Sequence, residues 1–191
     1  KRVFLKAQKI RLAHKDLVVI GITGSFGKTS VKEILSHILE KQWNILKTEK
    51  NTNTDIGIAK TIIRDLKPEH DIFVCEMGAY TPGEIKLCAS IARPHIGIMT
   101  GLNEQHLSLF GSLEKIFQTK WELIASLPEE GLSVFNADSK ELLHRLKSYR
   151  GKMVLCRTEG GSEEREVNME VSALTEHHQL RPVIASAGKL K

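Results

Sequence analysis

Apolar runs rich in β-branched residues alternate along this chain with segments whose apolar positions recur every three to four residues. That is the pattern of repeated β-α-β units. The predicted strands are Leu17–Ile22, Asn44–Lys47, Ile72–Cys75, Ile96–Thr100, Leu132–Asn136 and Met153–Cys156. Between them, Thr29–Lys41 places Ile34, Leu35, Ile38 and Leu39 on one helical stripe, and Ile56–Leu66 does the same with Ile58, Ile62 and Ile63. Gly83–Ala92 carries Ile85, Leu87 and Ile91, and Leu113–Leu127, with Ser112 as its N-cap, carries Ile116, Phe117, Leu123, Ile124 and Leu127. The expected fold is therefore α/β, a mostly parallel, doubly wound sheet with helices on both faces and ligands gathered beyond the strand C-termini. After Arg157 the texture changes. Thr158–Glu166 is rich in Gly, Ser and Glu, and the short runs Val171–Leu174 and Pro182–Ala185 read as a hairpin or small antiparallel β appendage at the C-terminal end.

The first strand runs directly into Thr23-Gly24-Ser25-Phe26-Gly27-Lys28-Thr29-Ser30 and then into an amphipathic helix. This is the context of a phosphate-cradling P-loop. Gly24 and Gly27 let backbone N–H groups approach phosphate oxygens, the helix contributes its positive dipole end, Lys28 a point charge, and Thr29 a hydroxyl for Mg²⁺. A strict Walker A run wants glycine where Ile22 stands, so the motif is the shorter TGxxGK[ST] form. A Gly-rich turn with an incidental lysine is the plain alternative.

Further polar clusters follow later strands. Thr48–Gly57, containing Asn51 and Asn53, is either a phosphate-facing loop or helix-capping turn chemistry. Glu76 ends the third strand, where a carboxylate would share Mg²⁺ with Thr29 or simply be a solvated loop acid. His106 follows the fourth strand. Lys120 lies in a helix beside Phe117, Trp121 and Ile124; it is either a solvated charge or a desolvated amine whose pKa falls, and such an amine can capture CO₂ as a carbamate.

A chain of 191 residues suits one domain. The formal charge of +5 resides in residues 1–16, which hold six Lys and Arg against one Asp; residues 17–191 carry 22 of each sign. A neutral body argues against a nucleic-acid-binding face. The basic leader is a solvated helix or linker, or else it lies against an anionic membrane. No apolar run reaches the 18 residues of a spanning helix. Cys75, Cys88 and Cys156 lack metal-ligand or disulfide spacing and read as thiols in a reducing cytoplasm. The adjacent His177 and His178 read as turn residues.

Taken together, TGSFGKTSVKE, KTEKNTNTDIG, CEMGAYTPGEI, RPHIGIMT, NEQHLSLFGSLEKIFQTKWELI and the Asn136-Ala137-Asp138 triplet resemble the central ATP-binding domain of the Mur ligase family, most closely its MurF type. The resemblance runs from about Val18 to Ala137. It implies that Lys28 and the loop from Thr23 to Ser30 hold the ATP phosphates, and that Thr29 and Glu76 hold one Mg²⁺. It further implies that His106 and a carbamylated Lys120 hold a second Mg²⁺, that Asn136 contacts adenine with Asp138 nearby, and that Asn51 and Asn53 face phosphate and substrate. The implied reaction is ADP-forming amide synthesis in peptidoglycan precursor assembly through an acyl phosphate, joining a UDP-muramoyl peptide to D-Ala-D-Ala. The implied enzyme is a cytoplasmic monomer. Gly101-Leu102-Asn103, Thr54, Ala59 and Trp121 depart from the family's usual residues and bear on loop geometry and substrate choice. The expected organisation is a leader (1–16), a central ATP-binding domain (17–157) and a truncated β appendage (158–191), with the family's uridine-binding and C-terminal domains outside this chain. Two other readings remain open, a Mur-fold ligase making a different cell-wall or polyglutamate amide, and a non-catalytic nucleotide-binding module.

Overall fold

The computed structural model describes residues 2–103, 112–158 and 167–170, and in it the alternation becomes one seven-stranded sheet. In chain order the elements are α1 (Arg2–Ala13), β1 (Val18–Thr23), α2 (Lys28–Leu39), β2 (Ile45–Lys47), α3 (Asp55–Asp65), β3 (Ile72–Glu76), α4 (Glu84–Ala92) and β4 (Ile96–Met99). There follow α5 (Leu113–Ala125), β5 (Leu132–Asn136), α6 (Lys140–Arg145), a 3₁₀ turn (Leu146–Ser148), β6 (Met153–Thr158) and β7 (Val167–Glu170). The strand order is β2-β3-β1-β4-β5-β6-β7, parallel throughout except that β7 runs antiparallel to β6. The chain leaves β1 towards one edge and, after β3, crosses to the other side, so β1 and its neighbours form the switch point where crevices open in such sheets.

Both faces of the sheet are covered, which is why β3 is buried at every position and reads as an unbroken apolar run. On one face Val19, Phe73 and Cys75 pack with Ile58 and Ile62 of α3, Ile85 and Ile91 of α4, and Leu123 of α5. On the other, Ile20, Ile22 and Val74 meet Leu39, Val31 and Leu35 of α2. Farther along, Met99 and Phe135 pack against Ile116 and Ile124 of α5 and Leu142 of α6, with Trp121 and Tyr149 closing an aromatic cluster. The helices start where expected from their caps. Thr54 accepts the Gly57 N–H at 3.2 Å, Ser112 accepts the Lys115 N–H at 3.2 Å, and Glu122 reaches across from α5 to accept the Gly83 and Lys86 N–H groups at the start of α4.

Residues of the basic leader form α1, which packs on α3 and α4 through Phe4, Ala7 and Ile10. Its Arg11 is buried and donates to the Ala92, His14 and Leu17 carbonyls at 3.0, 2.9 and 3.2 Å. Nearby, His95 accepts the Val19 N–H on Nδ1 at 3.0 Å, and burial together with Arg11 and Arg93 holds its pKa below the usual histidine value. A segment read as a solvated helix or linker, or as lying on a membrane, is thus tied into the N-terminal edge of the sheet, because Phe4, Ala7 and Ile10, spaced three apart, give it one helical face to bury. Two elements escaped the sequence reading, the short α6 and strand β7, which begins inside the segment assigned to the appendage. The runs Val171–Leu174 and Pro182–Ala185, and His177 and His178, lie outside the described residues. Among the described residues no helix is long and apolar enough to cross a membrane. Cys75 and Cys88 are buried free thiols, and Cys156 is half-buried.

Candidate functional site

The chemistry-bearing residues gather at the C-terminal ends of β1, β3 and β4. Thr23 closes β1 with its hydroxyl bonded to the Met77 carbonyl at 3.0 Å. The chain then turns sharply, because Gly24 sits at φ 145° where a Cβ would lie only 2.1 Å from Thr100 Oγ1. The loop is strapped to the end of β4: Ser25 N donates to the Gly101 carbonyl at 2.9 Å, and the Thr100 hydroxyl bonds to the Thr23 and Phe26 carbonyls. Phe26 remains exposed. Gly27, left-handed, precedes α2 as an N-cap without a side-chain cap bond. Lys28 folds back over the loop, with Nζ donating to the Gly24 carbonyl at 2.8 Å. Burial pushes its pKa below the usual lysine value, and Glu76 opposes that shift.

Glu76 is buried at the last position of β3. Its Oε2 accepts from the Thr29 hydroxyl at 2.9 Å and its Oε1 from Asn53 Nδ2 at 3.1 Å, while its backbone N–H donates to the Thr48 hydroxyl at 3.0 Å. Asn53 is itself fixed by the Gly78 N–H, which donates to its carbonyl at 2.8 Å. Three predicted residues, Thr29, Asn53 and Glu76, therefore meet in one hydrogen-bonded cluster. Asn51 is exposed in a left-handed conformation (φ 65°) and joins none of these bonds. Ser30 is exposed on the first turn of α2.

Lys120 of α5 is 2% exposed, which decides between the two readings of this lysine in favour of the buried amine. Its pKa is lowered to about 8, first by burial and next by Lys28, with Glu122 and Glu84 opposing. His106 lies outside the described residues. Asn136, at the end of β5, spends its amide inside the fold, donating to the Thr100 carbonyl at 2.9 Å and accepting the Asp138 N–H at 2.9 Å. Asp138 is exposed.

The donor set can be asked directly whether it suits a metal. A hydroxyl and a carboxylate oxygen at 2.9 Å are hard donors, and among the described residues no group of three or more His, Cys, Asp or Glu could hold an ion alone. Such a sparse oxygen pair fits Mg²⁺, which keeps several waters and shares its sphere with phosphates, better than an ion needing a protein cage.

Residues that the sequence reading did not assign complete the cluster. Thr48 and Thr100, both buried, fix Glu76 and the loop. Lys32 of α2 is fully buried, with Nζ 3.7 Å from Glu76 Oε2. The signal for Lys32 was its place one turn after Lys28, which puts both lysines on one helix face.

Comparison with known proteins agrees with this arrangement. The family model described as Mur ligase middle domain matches residues 22–188. The chain is 37% identical over 153 residues to the UDP-N-acetylmuramoyl-tripeptide–D-alanyl-D-alanine ligase of Synechocystis, covering 80% of this chain and 34% of that protein. Against the Escherichia coli ligase of the same name it is 43% identical over 126 residues, covering 66% of this chain and 28% of that protein. The crystal structure of MurF ligase from Thermotoga maritima in complex with ADP superposes with a TM-score of 0.74 at 34% identity, covering 84% of this chain and 38% of that one. The chain thus spans about a third of the length of the relatives it matches. The length and continuity of the family match, over a fold and a loop that agree with it, lead to one conclusion: this chain belongs to the Mur ligase family, as a middle domain.

Proposed function

We propose that the protein containing this chain is an ATP-dependent, ADP-forming amide ligase of the MurF type, which joins a UDP-muramoyl tripeptide to D-alanyl-D-alanine through an acyl phosphate. The observation that carries the reading is the 2.9 Å contact between Thr29 and Glu76 beside Lys28 at the mouth of an uncapped helix, on a chain of this family. In this reading residues 17–157 form the ATP-binding domain, and the acceptor and amine are selected largely by segments beyond this chain.

The chemistry asks for charge control more than for covalent help. A carboxylate attacks the γ-phosphorus and ADP leaves; the amine then displaces phosphate from the acyl phosphate. Both reactants of the first step are anionic. Lys28 and the open N–H groups of the loop and of α2 bind and orient the β- and γ-phosphates. Thr29 and Glu76 would hold Mg²⁺, which when bound supplies charge neutralisation across the phosphates. Lys120, whose amine is buried, would bear the carbamate and with His106 offer oxygen and nitrogen donors for a second cation. Asn53 keeps Glu76 aimed, and Asn136 shapes the β4–β5 end of the crevice, where the adenine would lie.

The test is ADP release by the intact protein with ATP, UDP-muramoyl tripeptide and D-alanyl-D-alanine, with hydroxylamine added to trap the acyl phosphate. The expected result is ADP formation that needs the muramoyl acceptor and a hydroxamate that forms without the dipeptide. ADP release indifferent to both substrates would overturn the assignment.

A further inference from the structure

Lys32 is the feature of this site that the proposed chemistry does not use. It lies on α2 four residues after Lys28 and three after Thr29, its side chain is fully buried, and Nζ sits 3.3 Å from Glu33 Oε1 and 3.7 Å from Glu76 Oε2. Neither approach makes a hydrogen bond of good geometry, so the buried ammonium has no hydrogen-bond partner among the described residues. Glu33 is half-exposed and is also paired with Lys47 of β2. A buried lysine held this way is an expensive choice where a methionine would fill the same space. Packing alone does not explain it.

What explains it is the state of Glu76 before any ligand arrives. Its carboxylate is buried, and among the described residues its oxygens are hydrogen-bonded to the neutral donors Thr29 and Asn53, with Lys32 Nζ 3.7 Å away and Lys28 also close enough to interact electrostatically. Lys28 is half-buried at the loop surface, where it can turn to a phosphate; Lys32 is sealed in. We infer that Lys32 is a positioning residue that compensates and aims Glu76 in the nucleotide-free protein, and that its fixed charge makes entry of a divalent cation depend on the phosphates of the nucleotide. This deepens the proposed function and rests on Glu76 being a metal-holding residue. Physically, a cation approaching Glu76 alone meets two positive charges, one of which cannot move. When it arrives with a triphosphate, the added negative charge outweighs that repulsion. The order of binding then suppresses metal capture by an empty site.

The probe is Mn²⁺, followed by electron paramagnetic resonance of the free ion, with and without ADP, on the folded chain. Wild type is expected to bind Mn²⁺ weakly alone and tightly with ADP. Lys32→Met is expected to tighten nucleotide-free Mn²⁺ binding at least about tenfold, because it removes a fixed positive charge 3.7 Å from Glu76 Oε2. Unchanged or weaker nucleotide-free binding in a folded Lys32→Met protein overturns the inference. Should that variant not fold, Glu33→Gln serves: it leaves Glu76 as the only carboxylate beside the ammonium and is expected to weaken nucleotide-free Mn²⁺ binding. No change, or tighter binding, overturns the inference there. Glu76→Gln separates the two levels of the argument. If it binds Mn²⁺ with ADP as wild type does, the metal role of Glu76 fails; if it loses that binding while Lys32→Met changes nothing, only the role of Lys32 fails.

Discussion

The two edges of the sheet each bury a cation, and they treat it in opposite ways. At the N-terminal edge, Arg11 is sealed under α1 with three carbonyl acceptors between 2.9 and 3.2 Å away, so its charge is spread over the ends of α1, α4 and the turn into β1. At the C-terminal edge, Lys32 is sealed against Glu76 and Glu33 at 3.7 and 3.3 Å, without a hydrogen bond among the described residues. The first arrangement is complete in itself and works as a clamp. The second is arranged around a carboxylate that is itself set to receive something else. A buried charge whose bonds are all made within the fold points to architecture; one left short of partners points to a ligand.

If this contrast is right, substitutions at the C-terminal edge should cost chemistry and those at the N-terminal edge should cost stability. The largest effect is expected from Lys28→Ala, which should lower ligation by the intact protein at least about 1,000-fold, some 4 kcal/mol of transition-state binding, without lowering the melting temperature. Initial rates of ADP release and a thermal melt check both halves. Arg11→Met should do the reverse: removing a charged donor from three carbonyls, two of them in buried bonds, should cost about 3 kcal/mol in urea unfolding, with nucleotide affinity unchanged in the folded protein. Gly24→Ala comes next. A methyl group 2.1 Å from Thr100 Oγ1 must displace the loop, and nucleotide binding by calorimetry should weaken about tenfold, roughly 1.4 kcal/mol.

A further effect is the dependence of stability on pH through Lys120. Its pKa falls from 10.5 to about 8 on folding, so between those values the unfolded chain binds the extra proton. Stability contributed by this residue therefore rises as pH climbs from about 8 towards 10.5. In bicarbonate-free buffer Lys120→Met should flatten that rise, and urea titrations across the range would show it.

Much of this was legible in the sequence for physical reasons. Parallel strands buried on both faces are near-continuous apolar runs, so β1, β3 and β4 stand out, and a Gly-rich turn between strand and amphipathic helix locates the loop around Lys28. Glu76 and Thr29 could be paired from position alone because strand C-termini converge on one edge. Other features needed three dimensions. Arg11 looked like one more basic residue in a charged leader, since nothing in its spacing shows that the Ala92 carbonyl lies above it. The hydrogen bond from the Asn136 amide to the Thr100 carbonyl joins the ends of β5 and β4, a contact that no local pattern encodes. The sequence leaves Lys120 between solvated and buried, because Ile116, Phe117, Leu123 and Ile124 surround it one turn away, yet a lysine can lay its stem on such a stripe and keep its amine in water.

The account rests on the pairing of Thr29 with Glu76 as the place where magnesium and nucleotide meet. The most direct test is calorimetric titration of ADP into the folded chain with and without Mg²⁺, for wild type and Glu76→Gln. The account predicts that Mg²⁺ tightens ADP binding by wild type at least about tenfold and has no effect on the Glu76→Gln protein. An equal effect of Mg²⁺ on both proteins would contradict it.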